Sequence, residues 1–173
     1  MATDINYRKQ VNQQLAAAVF QLSLLENSAL SLSKLQQASC HQACLHHLYY
    51  LVSFYVNEVL DNYKREVINF EARSLQQLFE SKALYDYSMI ELSELQQWYD
   101  KPSSLLNYLV QLDQKLNRAD AQKTPTKTNQ ENLIVAVIVV NELDLLNDKK
   151  ELLLLKKELS TLIDRQRECL QEH

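Results

Sequence analysis

Glycine does not occur once in the 173 residues of this chain, and proline stands only at Pro102 and Pro125. Glycine is the default residue for positive φ in tight turns, bulges and helix C-caps, and β-rich folds need many such positions. A phosphate-cradling P-loop and a dinucleotide-binding turn also need glycine, so that the backbone can approach the anion. The strained nucleophile elbow of the α/β-hydrolases needs it beside its serine. These absences exclude most common ATPase, dehydrogenase and hydrolase sites. Long apolar runs are missing too, since the longest, Leu133 to Val140, is too short to span a bilayer. No basic stripe is present: the formal charge is −4, the pI is about 5.6, and the two signs are interspersed. That pattern argues against non-specific nucleic-acid binding, which depends on clustered Lys and Arg. The N-terminal residues show no apolar stretch behind a basic start, and three cysteines are an odd number for a disulfide framework. The expectation is a cytoplasmic protein without a membrane segment.

What is present favours helices. Leucine occurs 32 times and glutamine 17 times, against six isoleucines and 11 valines, so good helix formers far outnumber β-branched residues. Hydrophobic residues make up 46%, enough to bury a real core. Between Asp4 and Leu32 the apolar positions Tyr7, Val11, Leu15, Ala18, Leu22, Leu25, Ala29 and Leu32 recur every three or four residues, as one face of a long helix. A second helix is expected from Leu35 or Ser39 to about Val67. Its middle, CLHHLYYLVSFYVNEVL, is apolar nearly all round, as in the central element of a bundle. Ser74 with Gln77 and Ser88 with Glu91 match the capping box, placing helices near Ser74–Leu84 and Met89–Tyr99. Another follows Pro102 to about Asn117. Residues 119–130 carry no large apolar side chain and read as a flexible loop. The β-branched segment Leu133–Val140 is expected to be buried, either helical or extended. The last helix starts between Asn141 and Asp148 and reaches about Leu170, with Leu152, Leu155, Leu159, Leu162 and Cys169 as its stripe, broadened by Leu153 and Ile163. The fold expected is therefore all-α, an up-and-down bundle of five to six helices in a single domain over 1–173, its first, second and last helices long.

The segment CHQACLHH is the one constellation with ligand chemistry. On a helix Cys40, Cys44 and His47 fall within about 60° of one another at 100° per residue. Thiolate and imidazole on one face could hold Zn²⁺, Cu⁺ or a haem iron, with a fourth ligand from another helix. The same face runs on into Leu48 and Leu51, and reduced cysteine packs well as a small hydrophobe. Core packing is therefore the preferred reading, with no cofactor and no metal, and the metal- or cofactor-binding bundle stands as the alternative. His46 points to the opposite face and reads as a surface or interface histidine. A di-iron bundle is excluded because no Glu has His three residues later. Glu58 and Asp61 read as part of a solvated face beside Tyr55, and Asp164–Arg167 and Arg165–Glu168 as weak local pairs. Trp98 reads as a core plug.

Three segments have a familiar look. Tyr7–Leu15, Leu45–Tyr63 and Leu162–Glu172 resemble an uncharacterised gammaproteobacterial family of short all-helical proteins, a domain of unknown function. The resemblance covers about a quarter of the chain. It departs from the family pattern at His173, where an aromatic is usual, and in the loop around Pro125. It implies a bacterial cytoplasmic setting and a single domain, and no activity. With no catalytic constellation in view, the expected role is a non-catalytic module that binds a protein partner or itself. The surplus leucines of LLLLKKEL, Leu153 and Leu154 in particular, are its expected surface. If Leu154 were wholly buried, that expectation would lose its main support. RNA binding through Lys123–Lys127 is the reading ranked last.

Overall fold

A computed structural model of the chain describes residues 5–27, 29–70, 74–101, 103–111 and 149–171. The expected loop at 119–130, the segment Leu133–Val140 and the end of the helix after Pro102 lie outside the described residues. Within them the chain is all-α, without a strand. The helices are α1 (Tyr7–Glu26), α2 (Lys34–Asn62), α3 (Leu75–Glu80), α4 (Ala83–Asp86), α5 (Ile90–Asp100), α6 (residues 105–111) and α7 (Lys149–Gln171).

Asn6 starts α1 by accepting the Lys9 amide at 2.9 Å, as an N-cap side chain does. The alanine- and leucine-rich stretch behind it buries Val11, Ala18 and Leu22 on one face. The helix ends at Glu26, earlier than its periodicity suggests, because the Asn27 side chain turns the chain by accepting the Ala29 amide. Ser33 and Gln36 then form a reciprocal capping box that launches α2. From Leu51 to Leu60 every α2 residue is buried except the half-buried Phe54. The helix with no polar face is thus the central element.

The other helices wrap it. Cys44 meets Ala18 and His47 meets Gln14, so α1 and α2 run antiparallel. Lys149 at the start of α7 reaches Glu26, and Arg167 near its end reaches both Asn12 and Glu58. Helix α7 therefore runs antiparallel to α1 and parallel to α2. It buries Leu152, Leu155, Leu159 and Ile163. The expected stripe drifts here. A helix of 3.6 residues per turn carries the buried line from Leu159 through Ile163, expected at the edge of the stripe, to Gln166, leaving Leu162 half-buried and Cys169 exposed. Across the chain the described helices share one continuous core, with Tyr55, Phe79, Leu48, Leu51 and Leu92 wholly enclosed. No described helix is long and apolar enough to cross a membrane.

The expected helix over Ser74–Leu84 is broken in two. Ser74 and Gln77 form the anticipated capping box, but Lys82 adopts φ 54° and separates α3 from α4. The second anticipated box fails. Ser88 sits at φ 55°, Met89 is the N-cap of α5 without a side-chain bond, and Glu91 is engaged by Tyr63 instead.

Left-handed turns are thus needed even though the chain has no glycine, and Lys64, Lys82, Ser88 and Ser103 supply them. The end of α2 shows the cost. The Arg65 amide donates to Leu60 at 2.8 Å and the Lys64 amide to Asp61 at 2.9 Å, the paired bonds of a Schellman motif, with Lys64 where glycine is usual. A side chain in this conformation costs about 1–2 kcal/mol, partly offset by its lower entropy when unfolded. Lys64→Gly should therefore stabilise the protein by roughly 0.5–1 kcal/mol, raising Tm by about 1–4 °C. Lys64→Val should lower it. Paired thermal melts check both.

Candidate functional site

The face that carries Cys40, Cys44 and His47 is turned on to α1. The Cys44 thiol is fully enclosed and lies 3.8 Å from the Ala18 carbonyl. Small Ala18 opposite it lets the two helices approach closely. Burial pushes the Cys44 thiol up to about 12, far from the thiolate that a metal requires. His47 Nδ1 lies 2.8 Å from Gln14 Oε1. Burial, and after it the neighbouring His46, holds the His47 imidazole below its ordinary range. Cys40 is half-buried. Among the described residues no three His, Cys, Asp or Glu side chains converge as a ligand set. His46 is exposed on the other side, its ring edge-on to Tyr50 at 4.6 Å, as its register implied.

A different constellation, unforeseen in the sequence, joins α2, α5 and α7. Glu58, only 4% exposed, accepts from Arg167 Nε at 2.8 Å and Nη2 at 2.7 Å. The same guanidinium donates to Asn12 Oδ1 at 3.0 Å. One turn earlier in α2, the buried Tyr55 hydroxyl donates to Gln166. Burial first, and then the Glu58 and Glu91 carboxylates, raises this phenol well above its ordinary range. Gln166 Nε2 donates onward to Glu94 at 2.6 Å, and Arg165 pairs with Glu94. Glu91 accepts the Tyr63 hydroxyl on both oxygens, at 3.2 and 3.3 Å. The reading of Glu58 as a solvated carboxylate is thus corrected, while Asp61 is exposed as expected. The corrected residue sits where α7 crosses α2, and Arg167 makes a two-pronged contact there that a local i, i+3 pair could not offer. No local pattern marks a pair 109 residues apart.

Two depressions flank this seam. Between α5 and α7 a groove of about 600 Å³ is floored by Trp98, Leu154 and Leu162, with Lys101, Lys157 and Glu158 on its rim. Leu154 is 45% exposed there. Trp98 is half-buried against the core and faces this groove, rather than plugging the interior. On the far side of the Glu94–Arg165 pair lies a cleft of about 850 Å³, bordered by Tyr63, Met89, Ile90, Glu91 and Cys169. No family model, curated protein or solved structure matches the chain.

Two outcomes follow from these contacts. Removing one partner of a buried ion pair leaves the other charge stranded, so Arg167→Ala should cost about 3–5 kcal/mol in urea unfolding. Combining it with Glu58→Leu should recover half or more. Thiol titration with a disulfide reagent should find Cys169 and Cys40 reactive in the native protein. Cys44 should react only at the rate of unfolding, and fast modification of three thiols would contradict the burial described.

Proposed function

We propose that this protein is a non-catalytic, cytoplasmic helical module that binds another protein or a second copy of itself through the groove between α5 and α7. The observation that carries this reading is Leu154. A leucine on a helix whose neighbours Leu152 and Leu155 are fully buried has no packing reason to stand half in solvent. It shares its groove with Trp98 and Leu162, an aromatic and a second aliphatic side chain, the residue types that anchor helix-in-groove contacts. The rim carries both signs of charge, which suits orientation of a partner helix better than attraction of a polyanion. The Cys40, Cys44 and His47 face gives no support to the alternative, since Cys44 and His47 are each engaged by α1 and the thiol is held protonated. Membership of the small-helical family that the three segments resemble belongs to the same reading.

The test is Leu154→Glu. A half-exposed position tolerates the change, so stability should stay within about 0.5 kcal/mol of wild type. A stoichiometric protein co-purified from cells at native expression, or a dimer seen by light scattering, should be lost with the substitution. A wild-type protein that is monomeric and partner-free under both measurements would sink the proposal.

A further inference from the structure

The second depression carries a different message, independent of the partner groove. Three carboxylates meet around the seam of α2, α5 and α7, namely Glu58, Glu91 and Glu94, and two guanidiniums, Arg165 and Arg167, answer them. Both guanidiniums are already engaged: Arg167 grips Glu58 with two nitrogens, and Arg165 pairs with Glu94. Glu91 is left over. It is 6% exposed, and among the described residues its carboxylate receives the neutral Tyr63 hydroxyl alone, shared between the two oxygens at 3.2 and 3.3 Å. Gln166 touches the Glu91 residue as well, but at its backbone carbonyl. A carboxylate has room for about four donors, and a buried one without a counter-charge is costly. Glu91 is one of the residues that line the 850 Å³ cleft.

The walls of that cleft say what would complete it. Met89 and Ile90 lie next to Glu91 in the chain and border the same opening. Ile90, at 82%, has the highest fractional exposure of the large apolar residues described. A carboxylate short of a cation sits beside apolar surface short of a cover. We propose that this cleft binds a small organic cation, a primary ammonium carrying an apolar group, with Glu91 as its counter-ion and the exposed Ile90 against its apolar part, Met89 being buried behind it at 4% exposure. Arg165 reaches the same opening, but its guanidinium is held by Glu94, which keeps it from taking the place of the ligand.

Benzylammonium and benzyl alcohol make a suitable pair of probes, because they share size and shape and differ in charge. The full chain is titrated with each at constant ionic strength and followed by two-dimensional amide NMR. Benzylammonium should shift the amides of Tyr63, Ile90 and Glu91 saturably. It should bind about tenfold or more tightly than the alcohol, the difference one charge-assisted hydrogen bond supplies. Glu91→Gln should erase that preference. Equal binding of the two probes to wild type, no saturable shift at the cleft, or an undiminished preference in the variant would each overturn the proposal. The wild-type comparison decides the matter even if the variant does not fold. Loss of the groove partner in Leu154→Glu would leave these titrations unchanged, so the two readings fail separately.

Discussion

A helix that is apolar around its whole circumference has to be surrounded, and the rest of the described structure depends on meeting that demand for α2. Over Leu51–Leu60 only the half-buried Phe54 still meets water. One neighbour cannot enclose such a helix, so α1 covers the Cys44 side, α5 and α7 close over the Tyr55 and Glu58 side, and the residues after α2 fold back on Asn57. That last closure is made by hydrogen bonding. The buried Asn57 side chain accepts the Ile68 amide at 2.8 Å and donates to the Ile68 carbonyl at 2.9 Å. The side-chain amide takes the place of a neighbouring strand, and the segment after Asn62 is tied down without forming one. Of the polar groups that α2 carries into the interior, Tyr55, Asn57 and Glu58 find partners from other parts of the chain, and the Ser53 hydroxyl donates to the Tyr49 carbonyl one turn back, as burial of polar atoms requires.

The lack of glycine bears on how this enclosure is achieved. Short helices around a long one need sharp turns, and three of the helix ends here, after α2, α3 and α4, pass through the left-handed region at Lys64, Lys82 and Ser88. The sequence accepts that strain in exchange for side chains that remain solvated. Lys64 and Lys82 are both exposed, and a lysine at a helix C-terminus is favourable to the partial negative charge of the unsatisfied carbonyls. So the missing glycine excludes phosphate loops and nucleophile elbows, but it does not exclude the backbone conformation glycine usually serves.

How much of this was legible in the sequence follows from the range of the interactions involved. The register of α1 is a local pattern that its apolar spacing revealed, and α2 was marked by an apolar run with no polar face; α5 was placed by a capping box and formed where expected without it. The Ser74–Gln77 box is also local and formed, whereas the Ser88–Glu91 box fits the same pattern, with Glu in place of Gln, and did not. Glu91 had a better partner in Tyr63, and that partner lies 28 residues away. The surplus leucine at Leu154 was legible as surplus because one helix stripe accommodates only so many. The Glu58–Arg167 pair was not legible. Both residues look like solvent-facing charges until the crossing of α7 over α2 is known, and the crossing is a property of the folded bundle. The same holds for Cys44 and His47, whose spacing suits a ligand set and whose fate was decided by what stands opposite, Ala18 and Gln14.

The two ion pairs of α7 illustrate how neighbouring charges come to differ in role. Arg167 and Glu58 are almost wholly withdrawn from water, so their pairing fixes the angle and register at which α7 lies on α2, and its disruption leaves a stranded charge. Arg165 and Glu94 are each more than a third exposed, and a pair of that kind adds little to stability on its own. Its position is what matters. Glu94 also accepts from Gln166, and Gln166 accepts from Tyr55, so the surface pair is the outer end of a hydrogen-bonded line that reaches the centre of α2. It stands at the same time between the apolar groove and the cleft, bordering both. The buried end of the line is the Tyr55 hydroxyl, one turn along α2 from the Glu58 carboxylate that Arg167 grips. The inner pair sets how α7 docks on α2, and the outer pair, held to the same helix crossing through Gln166, keeps the groove and the cleft apart.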